Sequence, residues 1–239
     1  MRRIYPGVAD LSLAHLPDLA RQIEEQTANF EVREEHVEVA LALVKPDGFR
    51  REIDADGAEV YTAEISYPID RENLLLSWEQ MQAAAGYGFH YTPYNFDSGP
   101  ERDFFVQLLS FLNQHADNVE DIYFTGALTT PDKTEFCVDY RDADGRWRSY
   151  TPDFVIRLKS GRCLIVEIKS AQFEAATTED LARHKQGEAA ITVEGRKAIA
   201  LRKWEALNPD RLKYHLVFAE SAVGYDQTRV ARKFVEGIE

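Results

Sequence analysis

One stretch, YTPDFVIRLKSGRCLIVEIKS at residues 150–170, constrains the fold more than any other. Two apolar, β-branched runs flank Lys159-Ser160-Gly161, which fits a three-residue hairpin loop with Gly161 taking the positive-φ position. A hairpin centred on Ser160 sets Asp153 directly opposite Glu167, where Cβ atoms stand roughly 4.5–5.5 Å apart. Lys169 lies two residues beyond Glu167 and so points to the same face. Three ionisable groups then converge at one end of an otherwise apolar hairpin, and a one-residue slip would separate them.

Two carboxylates brought together repel, which raises one pKa or demands a cation. Lys169 offsets part of this, and a divalent ion offsets it better. Hard oxygen donors in this number suit Mg²⁺, with Mn²⁺ as a substitute, because Mg²⁺ takes one or two carboxylates and keeps waters for a phosphate substrate. Such an ion lowers the pKa of a bound water and stabilises charge on a phosphoryl oxygen. Lys169 is placed to orient the attacking water or to stabilise the pentacovalent charge. The plainer alternative makes Asp153 a strand-opening residue after Pro152, and Glu167 with Lys169 a solvated edge pair contributing little. Glu-x-Lys alone carries no more than that. The apolar neighbours Phe154, Ile156, Leu164, Val166 and Ile168 weigh toward function, since a buried central strand is a poor place for an isolated ion pair.

The 239-residue chain has room for one large domain or a core with an appended piece. Its net charge of -13 argues against coating nucleic acid through a broad basic field. The charge is uneven: residues 1–96 hold 8 Lys+Arg against 17 Asp+Glu, whereas residues 151–239 hold 15 against 13. No apolar run reaches the ~18 residues of a membrane span, and the N-terminus lacks the features of a signal peptide. The two cysteines, Cys137 and Cys163, read as buried reduced thiols in a cytoplasmic protein, and the six scattered histidines suggest no zinc site.

Residues 17–28 read as a short helix and residues 36–69 as two or three antiparallel strands, with turns at Asp47-Gly48 and Asp56-Gly57. NLLLSWEQMQAAA, from Asn73, is helical in composition, and the aromatic, Gly- and Pro-rich residues 86–100 are the expected boundary between two parts. Beyond it, Phe104, Phe105, Leu108, Leu109 and Leu112 recur at helical spacing. Strands follow at IYFTGALTT, TEFCVDYRD, RWRSYTPDFVIRL and CLIVEIKS, with a hairpin turn at Asp144-Gly145. Residues 179–207 are mainly helical, interrupted near Gly187 and Gly195, and KYHLVFAES closes as a strand. The expected fold is α/β: a core of helix, mixed sheet of four to five strands and flanking helices at residues 96–239, with an acidic α+β extension containing an antiparallel hairpin at residues 1–95.

Pro152-Asp153 followed by Glu167-Ile168-Lys169 resembles the PD-(D/E)xK nuclease motif, and the element order resembles that restriction-endonuclease-like fold. More narrowly, YNFDSGPERDF through SYTPDFVIRLKSGRCLIVEIKS resembles the C-terminal endonuclease domain of type III restriction enzyme Res subunits, over roughly residues 86–220. The resemblance implies Mg²⁺-dependent cleavage of DNA phosphodiesters in restriction or phage defence. It implies Asp153, Glu167 and the Ile168 carbonyl as metal ligands, Lys169 near the nucleophilic water, and Glu101 as an acidic residue of the preceding helix that joins the site. Type III subunits carry a helicase motor, and this chain has no G-x-x-x-x-G-K-[ST] loop for ATP. The expected partners are therefore DNA and either a protein partner or a missing helicase portion, with a homodimer as a further expectation and no membrane.

Glu101 has a structural alternative, because Ser98-Gly-Pro-Glu101 is a capping box. Arg183, Lys185, Arg196, Lys197, Arg202 and Lys203 could contact phosphates but better suit a solvated helix face, and Gln172 could touch a phosphate but better suits an ordinary loop position. Tyr87, Phe89, Tyr91 and Tyr94 could grip bases but better suit a bridge that buries area, and Trp204 suits the core. Two other classes of function fit the same sequence: a catalytically silent nuclease-fold module that binds a partner protein or DNA, and a DNA-mimicking inhibitor suggested by the acidity. The inhibitor has no need of Lys169 beside two carboxylates.

Overall fold

The computed structural model describes residues 17, 20–23, 43–45, 48–62, 64, 67–81, 86–115, 117–126, 133–219 and 226–237. Cα packing divides the chain into residues 1–40 and 41–239. In the first unit residues 17 and 20–23 are helical, and the rest of the helix expected at 17–28 lies outside the described residues, as do strand positions 36–42 and Asp47.

In the second unit, β1 (Arg50–Ile53) and β2 (Glu59–Thr62) form an antiparallel hairpin. Its turn is fixed by Asp54, whose carboxylate accepts from the Asp56 and Ala58 amides, with Gly57 at φ +83°. Next come β3 (Leu75–Leu76), β4 (Tyr94–Asn95), α1 (Gly99–His115), β5 (Val119–Phe124), β6 (Val138–Arg141), β7 (Trp147–Tyr150), β8 (Phe154–Leu158) and β9 (Cys163–Ser170). The chain then forms α2 (Glu174–Lys185), α3 (Val193–Leu207), β10 (Leu212–Ala219) and α4 (Arg229–Glu236). The central sheet has four strands in the order β10-β9-β8-β5; β10 is parallel to β9, and the other pairs are antiparallel.

β9 is a central strand, and its sequence shows why. Leu164, Val166 and Ile168 face one core with Phe104, Phe105, Leu108, Leu109 and Leu112 of α1 and Phe234 and Val235 of α4. Ile165 faces a second core with Val155, Val138 and Phe136, and with Leu201 and Trp204 of α3. A strand covered on both sides reads as a continuous apolar run rather than an alternating one. Helices therefore cover both faces of one mixed sheet. Burying a leucine such as Leu108 holds these layers together, and truncating it to alanine costs about 2–5 kcal/mol.

Several expectations change. Residues 73–81 form no α-helix: two 3-10 turns, Ile69–Leu74 and Trp78–Met81, flank β3, which pairs with β4. The helix-favouring composition loses there to the burial of Leu76 in the main core. Residues 87–96 pack into that same core, with Tyr94 and Phe96 fully buried among Phe105, Phe124 and Phe154. His90 fixes this segment by bonding Asp121 (2.9 Å) while stacking on Tyr123. Gly195 does not interrupt a helix but lies buried in the first turn of α3. The thiols are free yet not buried as expected: Cys137 is exposed and Cys163 half-buried. No described helix is long and apolar enough to cross a membrane.

Candidate functional site

The β8–β9 hairpin takes the register derived above. Phe154 pairs with Val166 and Ile156 with Leu164, so Asp153, one step beyond the paired residues, falls opposite Glu167. Gly161 closes the loop at φ +84°, donating to the Leu158 carbonyl (2.8 Å). The opening of β8 is clamped to the end of β5: the Asp153 carbonyl accepts from Thr125 and Gly126 amides at 2.8 and 3.2 Å, and the Pro152 carbonyl from the Thr125 hydroxyl. Across the hairpin, the Ile168 amide donates to Asp153 Oδ2 at 2.7 Å. The N–H and C=O of one strand residue leave on the same flank, so the Ile168 carbonyl is on the Asp153 side.

Asp153, Glu167 and Lys169 line one cleft of about 650 Å³, together with Tyr150, Asp97 and Lys197. Glu167 is 3 % exposed, and Lys169 Nζ lies 2.6 Å from its Oε1. The other oxygen, Oε2, is buried with no hydrogen-bond partner among the described residues. Lys169 also reaches Glu194 Oε2 at 3.4 Å, and Lys197, on the same helix as Glu194, pairs with Glu194 Oε1 at 3.4 Å. Lys197 Nζ sits over the Tyr150 ring, and its carbonyl accepts from the Tyr150 hydroxyl.

The charges do not balance. Among the described residues, the ammonium groups that act on Asp153, Glu167, Glu194 and Glu101 are Lys169 and Lys197. Burial pushes the Asp153 carboxyl well above the carboxylate range, and the neighbouring Glu167 and Glu101 push it further. Burial likewise raises Glu167, against the pull of Lys169. For Lys169 burial acts downward, but Glu167, Asp153 and Glu194 more than offset it and hold the amine above the ordinary lysine value. Lys169 is thus a permanent hydrogen-bond donor at neutral pH, not a proton acceptor.

Glu101 forms the cap. Its Oε1 accepts from the Ser98 hydroxyl (2.6 Å) and its Oε2 from the Asp97 amide (3.1 Å), one residue further back than a standard capping box. It is buried, its carboxyl raised mainly by that burial, and it influences Asp153 through space. Of the proposed phosphate contacts, Lys197 alone lines the cleft. Arg183 pairs with Glu188 at 2.9 Å, and Arg196 donates to the Asp142 carbonyl at 3.2 Å. Lys185, Gln172, Arg202 and Lys203 are exposed. Trp204 packs against the second core.

The sequence reading passed over Glu194 and Tyr150. A signal for Glu194 existed: Glu194 and Lys197 are an i,i+3 pair at the start of a helix that must cover the face carrying Glu167. It also passed over the buried Asp180, which accepts from the Ile191 amide (2.7 Å), the Thr192 amide (2.8 Å) and the Thr192 hydroxyl (2.6 Å). Thr192 in turn caps α3 by accepting from the Gly195 amide. This joint fixes the start of α3, and with it Glu194 and Lys197.

Among the described residues, no group of three or more His, Cys, Asp and Glu side chains is arranged to hold a metal ion. Two carboxylates and a backbone carbonyl are nonetheless a donor set that fits Mg²⁺, which completes its shell with water and phosphate oxygens. The unpartnered Glu167 Oε2 and the excess of carboxylates favour a cation at this place. Comparison with protein-family models, with curated proteins and with solved structures finds no match to this chain.

Proposed function

We propose that the chain is a Mg²⁺-dependent endonuclease that hydrolyses DNA phosphodiester bonds, with a restriction-endonuclease-like core, acting in restriction or phage defence as a piece or partner of a larger machine. The single observation that carries this reading is the meeting of Asp153, Glu167 and Lys169 in one cleft, with a buried carboxylate oxygen lacking a partner. A bound cation would supply the partner that this oxygen lacks among the described residues.

Asp153, Glu167 and the Ile168 carbonyl would hold the ion. When bound, it polarises a phosphoryl oxygen and makes water a better nucleophile at neutral pH. The chain's own groups do the rest. Lys169, kept protonated by its acidic neighbours, donates to the attacking water or to the charge that builds on the phosphorus oxygens. Glu167 holds the Lys169 ammonium in place, and Glu194 holds it from the other side. Lys197, over Tyr150 at the cleft wall, is set to receive a backbone phosphate.

The test is supercoiled-plasmid cleavage in Mg²⁺ by wild type, Asp153→Ala and Lys169→Ala. The expected result is cutting by wild type and none by either variant, both remaining folded. Wild-type cutting rates in either variant would refute the mechanism. A second reading, a module that binds without cutting, draws on Lys169 being taken up by two carboxylates. It predicts weak DNA affinity at physiological salt, tight partner binding and no cleavage by the wild type.

A further inference from the structure

Granted the cation site proposed above, Glu167 holds two positive charges at once. Its Oε1 takes the Lys169 ammonium at 2.6 Å, and its Oε2 is the buried oxygen with no hydrogen-bond partner among the described residues. Lys169 stays charged, since Glu167, Asp153 and Glu194 outweigh its burial. An ammonium and a divalent ion on the two oxygens of one buried carboxylate repel, the more so because little water screens them. Glu167 has little freedom to relieve this, being buried within β9 between β8 and β10. Lys169, near the end of the strand on a flexible four-carbon stem, is the group that can move.

Glu194 is where it can go. This residue is second in α3, a position fixed by the Thr192 cap and the Asp180 joint. Its Oε2 lies 3.4 Å from Lys169 Nζ, and its Oε1 lies 3.4 Å from Lys197 Nζ. Both separations exceed the about 2.7–2.9 Å of a full charge-assisted hydrogen bond, so Glu194 has bonding capacity left for either ammonium. Lys197 has a further hold over the Tyr150 ring. Of the other acids that act on Lys169, Asp153 accepts from the Ile168 amide, and both oxygens of Glu101 accept at the start of α1. Glu194 therefore offers the Lys169 ammonium an acceptor outside the donor set assigned to the cation.

We propose that Glu194 is a positioning residue that takes up the Lys169 ammonium when Glu167 binds a divalent cation. Lys169 and the cation then compete for Glu167, and Glu194 relieves the competition. Two consequences set this apart from a fixed ion-pair network. Removing Lys169 tightens cation binding even though it abolishes cleavage. Removing the Glu194 charge weakens cation binding only while Lys169 is present, because Glu194 acts through Lys169 and not on the ion.

A double-mutant cycle read by calorimetric titration of Mn²⁺ into the full chain tests this. The proteins are wild type, Lys169→Met, Glu194→Gln and the double variant, each checked for a cooperative melting transition. Lys169→Met should bind Mn²⁺ about tenfold more tightly than wild type, and Glu194→Gln about fivefold more weakly. The double variant should match Lys169→Met within about twofold. An equal loss from Glu194→Gln with and without Lys169 would mean that Glu194 acts on the ion directly, and overturns the proposal. So does Mn²⁺ binding that Lys169→Met fails to tighten, a comparison that stands even where Glu194→Gln does not fold. Either of these outcomes leaves the cation site intact, whereas no Mn²⁺ binding by the wild type overturns the site and this role of Glu194 together.

Discussion

Two carboxylates in this molecule are almost equally hidden, Asp180 at 2 % exposure and Glu167 at 3 %, yet they are held in opposite ways. At the α2–α3 joint, Asp180 accepts three hydrogen bonds, which outweigh its burial and hold its pKa below the usual carboxylate range. At the end of β9, Glu167 has one oxygen on Lys169 and the other without a hydrogen-bond partner among the described residues, and burial raises its pKa. Its neighbour Asp153 is raised too, by burial and by the nearby carboxylates of Glu167 and Glu101. Burial alone does not tell these two acids apart. What separates them is whether the described residues satisfy both oxygens or leave one without a partner.

The largest effect that sharpens the contrast is on cleavage. Lys169→Ala and Asp153→Asn should each lower the plasmid-cutting rate by about a hundredfold or more, while Asp180→Asn, assayed at low temperature where it stays folded, should cut near the wild-type rate. Gel assays at fixed Mg²⁺ check both.

Stability should invert the order. Asp180→Asn turns one acceptor oxygen into a donor facing donors and should cost about 2–3 kcal/mol in urea unfolding. In metal-free buffer Asp153→Asn removes a poorly solvated charge beside two other carboxylates and should leave stability unchanged or raise it. A loss in Asp153→Asn as large as that in Asp180→Asn would break the comparison.

Acidity provides a third probe, with opposite signs at the two places. The Asp180 pKa is depressed in the folded state, so its stabilisation is complete above the unfolded carboxylate pKa and is lost as pH falls through the lower, folded value. The deficit of Asp180→Asn should therefore shrink only in strong acid. The Asp153 pKa is raised, so the folded state binds the extra proton between the unfolded and folded values. Any stability advantage of Asp153→Asn should then be full above the raised folded value and shrink as pH falls from there toward the unfolded carboxylate value. Urea midpoints across pH for both variants measure this.

A smaller change tests the joint itself. A Cβ on Gly195 would lie 2.3 Å from Asp180 Oδ2, so Gly195→Ala should destabilise by about 1–3 kcal/mol despite its better helix propensity. At the low end, Lys185→Ala should change neither cleavage nor stability measurably, because the side chain is exposed and lies away from the cleft.

How much of this was legible beforehand follows from how local each signal is. The β8–β9 register could be counted from Gly161 outward, because a hairpin fixes pairing through its loop and side chains alternate with period 2. The order of helix, strands, helices and strand was likewise written in periodicity. Residues 73–81 were misread because a long-range partner, Tyr94–Asn95, overrides a helical composition. Asp180 was invisible for a related reason, because its role depends on Ile191 and Thr192 amides brought to it across the α2–α3 joint, whereas the Glu194–Lys197 spacing was a local signal that went unread. Glu101 carried two readings, and its hydrogen bonds assign it to the cap while leaving it within electrostatic reach of Asp153.

The most direct test of the central claim is calorimetric titration of Mg²⁺ or Mn²⁺ into wild type, Asp153→Ala and Asp180→Asn. Saturable heat in wild type and in Asp180→Asn, absent from Asp153→Ala, is the expected result. No heat in the wild type, or the same heat in Asp153→Ala, would contradict a cation held by the unsatisfied carboxylates at the end of β9.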